Sequence, residues 1–187
     1  MHVSAQHILI TGQPGVGKTT LIRKLAGHLM VLNPVGFYTA EIRQDRVRTG
    51  FELISLAGPR GILSHTDIKS PHRVGKYGVD VKGFEDFLTA IPFLSEHTAL
   101  IIIDEIGKME CLSGVFRRLI RDILDSDLMC IATISMKGGG LIAEVKNRAD
   151  VTLFEISIAN RDTLIPDILR VIEPKRRDTW QRGSCNQ

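Results

Sequence analysis

Residues Gly12-Gln13-Pro14-Gly15-Val16-Gly17-Lys18-Thr19 fill every fixed position of the pattern G-x-x-x-x-G-K-[ST]. The short apolar run Ile8-Leu9-Ile10 precedes them, and a segment with helical spacing follows. That order requires a strand end, a tight turn and a helix N-terminus in immediate succession, which selects an α/β architecture. Glycines let the turn adopt conformations closed to other residues, so that successive N–H groups converge on phosphate oxygens at the first helical turn. In such a cradle Lys18 reaches the β- and γ-phosphates, and the Thr19 hydroxyl is a ligand of Mg²⁺ bridging them.

The rest of the chain keeps to the same grammar. A length of 187 residues with 43% hydrophobic and 24% charged residues suits one α/β domain, here residues 1–173. Strand one is expected over His7–Thr11 and the next helix over Lys18–Val31, ended by Asn33-Pro34. Gly36–Arg43 and Thr49–Leu56 alternate like strands and predict an antiparallel hairpin added to a mostly parallel sheet. A strand near Gly61–Ser64, a loop over His65–Asp80 and a helix over Lys82–Leu94 follow. Beyond Ala99–Ile103 the pattern predicts a helix at Ser113–Asp125, a strand at Met129–Ser135 and a helix at Leu141–Arg148. A strand at Val151–Ser157 and a helix at Asn160–Ile172 complete it.

No apolar run approaches the twenty or so residues that span a bilayer, and the start lacks a leader's basic region and cleavage site, so a cytoplasmic monomer away from membranes is expected. Cys111, Cys130 and Cys185 lie far apart, which predicts unpaired thiols. The formal charge of +3 comes from the last fourteen residues, where Lys175, Arg176, Arg177 and Arg182 oppose only Asp178. That tail, 174–187, reads as a solvated, disordered end. It leaves nucleic acid open as a partner without indicating one.

Ala99-Leu100-Ile101-Ile102-Ile103 is a continuous apolar run, the mark of a strand buried on both faces, and it delivers Asp104-Glu105 at the end where open α/β sheets bind ligands. An aspartate there holds Mg²⁺ in phosphate-loop enzymes. Strand alternation sends Glu105 to the other side, where it would polarise a water lined up behind the γ-phosphate.

The segments "GQPGVGKTTL", "GFYTAEIR", "TGFELISL", "VGKYGVD" and "IIIDEIGKME", in this order, resemble the nucleoside triphosphatase family that includes cancer-related nucleoside-triphosphatase. The resemblance covers about residues 6–173. It implies a three-layer, RecA-like phosphate-loop fold and Mg²⁺-dependent hydrolysis of nucleoside triphosphates, ATP and GTP among them, with loose base choice. It also implies two nucleotide-contacting stretches: Gly12 to Thr19 with the adjoining Thr20, and Ile101, Ile102, Ile103, Asp104, Glu105, Ile106, Gly107 and Lys108.

Charge on the transferring phosphoryl oxygens needs a cation beyond Lys18 and Mg²⁺. The candidates are Lys108, three residues past Glu105, and Arg148 as an arginine finger within the chain, and either could instead be a solvated surface charge. Asn160 and Arg161 offer an amide and a guanidinium to the base, although Asn160 is equally placed to cap the last helix. Two other functions share this fold. A small kinase would add an acceptor pocket and an arginine-rich lid, and a nucleotide-switched binding module would turn over slowly.

Overall fold

A computed structural model describes residues 7–172; the basic tail, Trp180 and Cys185 lie outside the described residues. β1 (His7–Thr11), β7 (Leu100–Ile106), β8 (Met129–Ile134) and β9 (Val151–Glu155) run parallel with β2 (Val35–Gln44) in the spatial order β2-β7-β8-β1-β9. An antiparallel extension continues from β2 through β3 (Val47–Ser55), β4 (Arg60–His65), β6 (Tyr77–Val79) and β5 (Arg73–Val74). The expected hairpin is therefore β2–β3. The order places β8 between the phosphate-loop strand β1 and the acidic strand β7, so the two loops meet across one intervening strand end.

Period-two alternation explains how strands of almost unbroken apolar residues serve two cores. Ile8 and Ile10 of β1, with Leu100 and Ile102 of β7, face the core under α1 (Lys18–His28) and α5 (residues 164–172). Leu9, Ile101 and Ile103 face the opposite core with α2 (Val81–Thr89), α3 (Gly114–Leu124) and α4 (Leu141–Lys146). The result is three layers, helices on both faces of the sheet. On α3 the buried Phe116, Ile120, Ile123 and Leu124 form one stripe at helical spacing. The Ser113 Oγ accepts the Phe116 N–H at 3.0 Å to cap its start. Asp80 caps α2 by accepting from the Gly83 N–H at 2.9 Å.

Several boundaries differ from the sequence reading. α1 stops at His28 and a 3-10 turn, Met30–Leu32, leads to Asn33 at φ 46° ahead of Pro34. α2 ends at Thr89 because Ile91 precedes a proline and is disfavoured in a helix. The segment 65–80, read as a loop, contains β5 and β6. They hold because Tyr77 is buried, packs edge-on against Phe51 at 5.5 Å, and accepts from the Arg48 Nε at 3.0 Å. "GKYGVD" thus anchors the antiparallel extension. Cys111 and Cys130 are free thiols; burial pushes them up to about 11 and about 12. No described helix is long and apolar enough to cross a membrane.

Candidate active site

The turn Gly12–Gly17 sits at the C-terminal end of β1. Gly15 and Gly17 take φ 77° and 112°, and a Cβ on either would meet nothing within 4 Å, so these glycines are required for backbone conformation and leave an open concavity. Gly12 is different, since a Cβ there would press on the Ile156 backbone and come within 3.2 Å of Val16. α1 opens without a side-chain cap, so its first N–H groups face that concavity. Lys18 arches over the loop, its Nζ donating to the Gly12 carbonyl at 3.1 Å and the Gln13 carbonyl at 3.4 Å. Triphosphate oxygens would replace these neutral acceptors without breaking an ion pair.

Across the strand end, Asp104 is 1% exposed, and its charge is held entirely by hydroxyl and amide donors. Its Oδ2 accepts from Thr19 Oγ1 at 2.7 Å, Thr39 Oγ1 at 3.0 Å and the Thr39 N–H at 3.4 Å. Its Oδ1 accepts from Thr133 Oγ1 at 2.6 Å. A buried carboxylate beside two outward hydroxyls is a hard-oxygen set suited to Mg²⁺, whose remaining positions water and phosphate fill. Thr19 and Asp104 are the expected pair; Thr39 is an addition the sequence reading missed. Three or more His, Cys, Asp or Glu side chains do not converge as a metal cluster among the described residues.

Glu105 accepts from Ser135 Oγ at 2.8 Å. Strict alternation, expected to send Glu105 away from Asp104, gives way here. Between Ile103 and Ile106, β7 uses three residues where β8 uses two, a bulge, and the peptide joining Asp104 to Glu105 is cis. Both carboxylates are held by hydroxyls two residues apart, that of Thr133 in β8 and that of Ser135 just past its end. The Lys146 Nζ fixes the end of β8 by donating to the Ser135 and Met136 carbonyls at 2.6 and 2.7 Å, and burial lowers its pKa.

Glu110, also absent from the sequence reading, is 5% exposed and lies against Gly107, where a Cβ would come within 2.8 Å of its Oε2 and 3.2 Å of the Glu105 Cδ. Burial first, then the neighbouring Glu105 and Asp104 charges, push the Glu110 carboxyl up to about 8. It is therefore mostly neutral at pH 7, and its burial adds little negative charge where a triphosphate must approach.

The structure brings Gly12 to Thr20 and Ile101 to Lys108 to one end of the sheet. Ile101, Ile102, Ile103 and Ile106 are buried core residues, so their side chains support the strand and only its far end is available to a ligand. Lys108 is exposed and makes no ion pair with the described residues. Arg148 is not brought there. α4 starts at the ligand end and runs away from it, and Arg148 lies at the opposite rim, bonded to Asp125 Oδ1 at 2.7 Å, Asp150 Oδ2 at 2.7 Å and the Leu124 carbonyl at 2.6 Å. The five residues of β1, at about 3.3 Å each, separate the two ends. In this placement Arg148 does not face the phosphate loop.

Asn160 does not reach out to a ligand either. Its Oδ1 accepts from the Ser157 N–H at 2.8 Å and its Nδ2 donates to the Glu155 carbonyl at 2.9 Å, closing the turn after β9. Since α5 begins at residue 164, Asn160 is not its cap. Arg161 is exposed, 3.8 Å from Asp162.

A glycine-rich turn after β1, a carboxylate pair on β7 and β8 between them define a protein of the α/β phosphate-loop NTPase-like fold. A family model described as NTPase matches residues 7–169, and the chain belongs to that family. It is 47% identical over 170 residues to nucleoside-triphosphatase THEP1 of Thermotoga maritima, covering 90% of this chain and 97% of the relative. It is 39% identical over 191 residues to the human cancer-related nucleoside-triphosphatase, covering 92% and 100%. The crystal structure of THEP1 from Aquifex aeolicus superposes with a TM-score of 0.82 at 39% identity, over 89% of this chain and 99% of that one.

Proposed function

We propose that the protein hydrolyses nucleoside 5′-triphosphates, ATP and GTP among them, to the diphosphate and phosphate with Mg²⁺. The observation that carries this reading is the pair of carboxylates at one bulge. Asp104 is bonded to the Thr19 hydroxyl of the phosphate loop, and Glu105 is steered by Ser135 with no cation paired to it among the described residues. Asp104, Thr19 and Thr39 would hold Mg²⁺, which when bound neutralises charge on the β- and γ-phosphates. Glu105 orients a water and accepts its proton as the water oxygen bonds to the γ-phosphorus. The bond from that phosphorus to the β–γ bridging oxygen breaks, and its electron pair leaves with the diphosphate. Lys18 stabilises the charge on the phosphates, and Lys108 supplies the second cation.

The kinase alternative would draw on the basic residues of the segment 65–80, His65, Lys69, His72, Arg73 and Lys76. His65 accepts from the Asp67 N–H at 3.2 Å and Arg73 donates to the Lys76 carbonyl at 2.9 Å, so both are engaged within their own hairpin. Phosphate release measured with and without Mg²⁺, and with and without nucleoside or nucleic-acid acceptors, tests the proposal. Steady Mg²⁺-dependent release without acceptor is expected. Label transferred to an acceptor would overturn it in favour of a kinase, and tight retention without turnover in favour of a switch.

A further inference from the structure

The Asn160 amide, one of the two groups expected to meet the base, is closed on its own turn. A different place is open to the base. Thr20, Arg23 and Lys24 follow one another at i, i+3 and i+4 on the exposed face of α1 and line an open cavity of about 380 Å³ beside the phosphate loop. The Arg23 guanidinium lies over the Tyr38 ring, 4.9 Å from its centroid. Tyr38 is next to Thr39, which is bonded to Asp104, so this stack is tied to the metal-binding end of β2. Neither Arg23 nor Lys24 has an anionic partner among the described residues. Thr20 directly follows Thr19 in the first turn of α1, where on the triphosphate reading the α-phosphate and sugar would lie.

We propose that this cavity is the nucleoside subsite, with the base stacked on the Arg23–Tyr38 pair and Lys24 turned to its edge; the assignment rests on the triphosphate reading of the phosphate loop. A planar guanidinium braced by a ring offers a flat cationic surface, and every nucleobase has a π-face to lay on it. Arginine and lysine donate only, and every base carries an acceptor, so the lining discriminates weakly among bases. The neighbouring charges are cationic and the polar group is a hydroxyl. Among the described residues no carboxylate or amide lines the cavity to select an exocyclic amine.

Equilibrium binding in Mg²⁺ of ATP, GTP, CTP and inorganic tripolyphosphate, by calorimetry, separates base from phosphate contacts without relying on turnover. Arg23→Ala is expected to weaken all three nucleotides about tenfold and to leave tripolyphosphate within about twofold. Arg23→Lys, which keeps the charge and loses the plane, is expected to remain weakened. Equal loss for tripolyphosphate, or full recovery in Arg23→Lys, would make the cavity a simple anion site and overturn the proposal. Unchanged nucleotide affinity in Arg23→Ala, with loss instead on changing Arg161 or the 77%-exposed Ile158, would move the base to the turn after β9. Lys18→Ala is the separate control: if it left tripolyphosphate binding intact, the phosphate-loop reading itself would fail.

Discussion

The two ends of the parallel sheet treat charge in opposite ways. At the N-terminal rim, Arg148 is bonded to Asp125, Asp150 and the Leu124 carbonyl, and the buried His7 Nε2 lies 3.1 Å from that same carbonyl. Charge there is met by charge, and the Asp150 hydrogen bond is the main reason the Arg148 pKa rises. At the C-terminal rim, Asp104 and Glu105 are held by hydroxyls and Lys18 by carbonyls. Neutral partners satisfy a charge without cancelling it, so its field remains available to a ligand. One rim pairs its charges with one another, and the other leaves them on neutral partners, as the proposed binding of a polyanion and a cation requires.

The contrast breaks first at the ligand rim. Glu105→Gln keeps the shape and loses the base, so hydrolysis should fall on the order of a hundredfold or more while Mg²⁺-nucleotide affinity stays near normal. Lys18→Ala should cost both binding and turnover, also on the order of a hundredfold, because its ammonium meets phosphate in ground and transition states alike. Asp104→Asn should shift the Mg²⁺ concentration needed for half-maximal rate. Single-turnover rates and calorimetry read these separately. Wild-type turnover in Glu105→Gln would transfer water activation to another group. In all three the melting temperature without nucleotide should change little compared with the loss of function.

The opposite rim should give the opposite signature. Arg148→Ala removes two ion pairs and one of the two side-chain partners of the Leu124 carbonyl, for about 2 kcal/mol of stability, or a drop of roughly 4–8 °C in Tm. Its kcat/KM should stay within about twofold of wild type below the melting range. A rate loss on the scale of Glu105→Gln, with Tm unchanged, would mean that Arg148 reaches the site after all.

This contrast was only half legible in the sequence. The phosphate loop and "IIIDE" were readable because each is contiguous, so chain neighbours are site neighbours. Thr39, Thr133 and Ser135 were not, because each becomes a partner of Asp104 or Glu105 only through strand register over 65, 29 and 30 residues of chain. Arg148 was misplaced although topology could have corrected it. A helix returning between parallel strands starts at the ligand end and carries whatever follows its last turn to the other rim. Asn160 looked equally fit for a base or a helix cap, and tertiary context gave its amide to Ser157 and Glu155 instead. Glu110 gave no sequence signal. Only the bulge that turns β7 into its following 3-10 helix, Glu110–Leu112, buries that carboxyl beside Glu105.

Glu110 gives the finest test of how the ligand rim manages charge. Its folded carboxyl is pushed up to about 8, far above the ordinary carboxylate range, because burial and the Glu105 and Asp104 charges oppose ionisation. When the folded value lies above the unfolded one, the unfolded chain releases the proton first as pH rises. The stability contribution is therefore full below about pH 4.5 and is lost progressively up to about pH 8, where the native carboxyl finally ionises as well. Glu110→Gln keeps the shape, cannot ionise, and can still accept from the Gly107 N–H. The variant should melt near wild type at pH 4.5 and above it at pH 8, by about 1–3 kcal/mol. Taking the difference between the two proteins cancels the titrating pairs that do not touch Glu110, including Glu41, whose pKa the Arg48 hydrogen bond lowers and which therefore acts with the opposite sign. A gap between the melting curves that does not widen from pH 4.5 to 8 would mean that Glu110 ionises normally in the fold. The ligand rim would then carry three buried or half-buried carboxylates at neutral pH, and a triphosphate could approach only after the metal had bound.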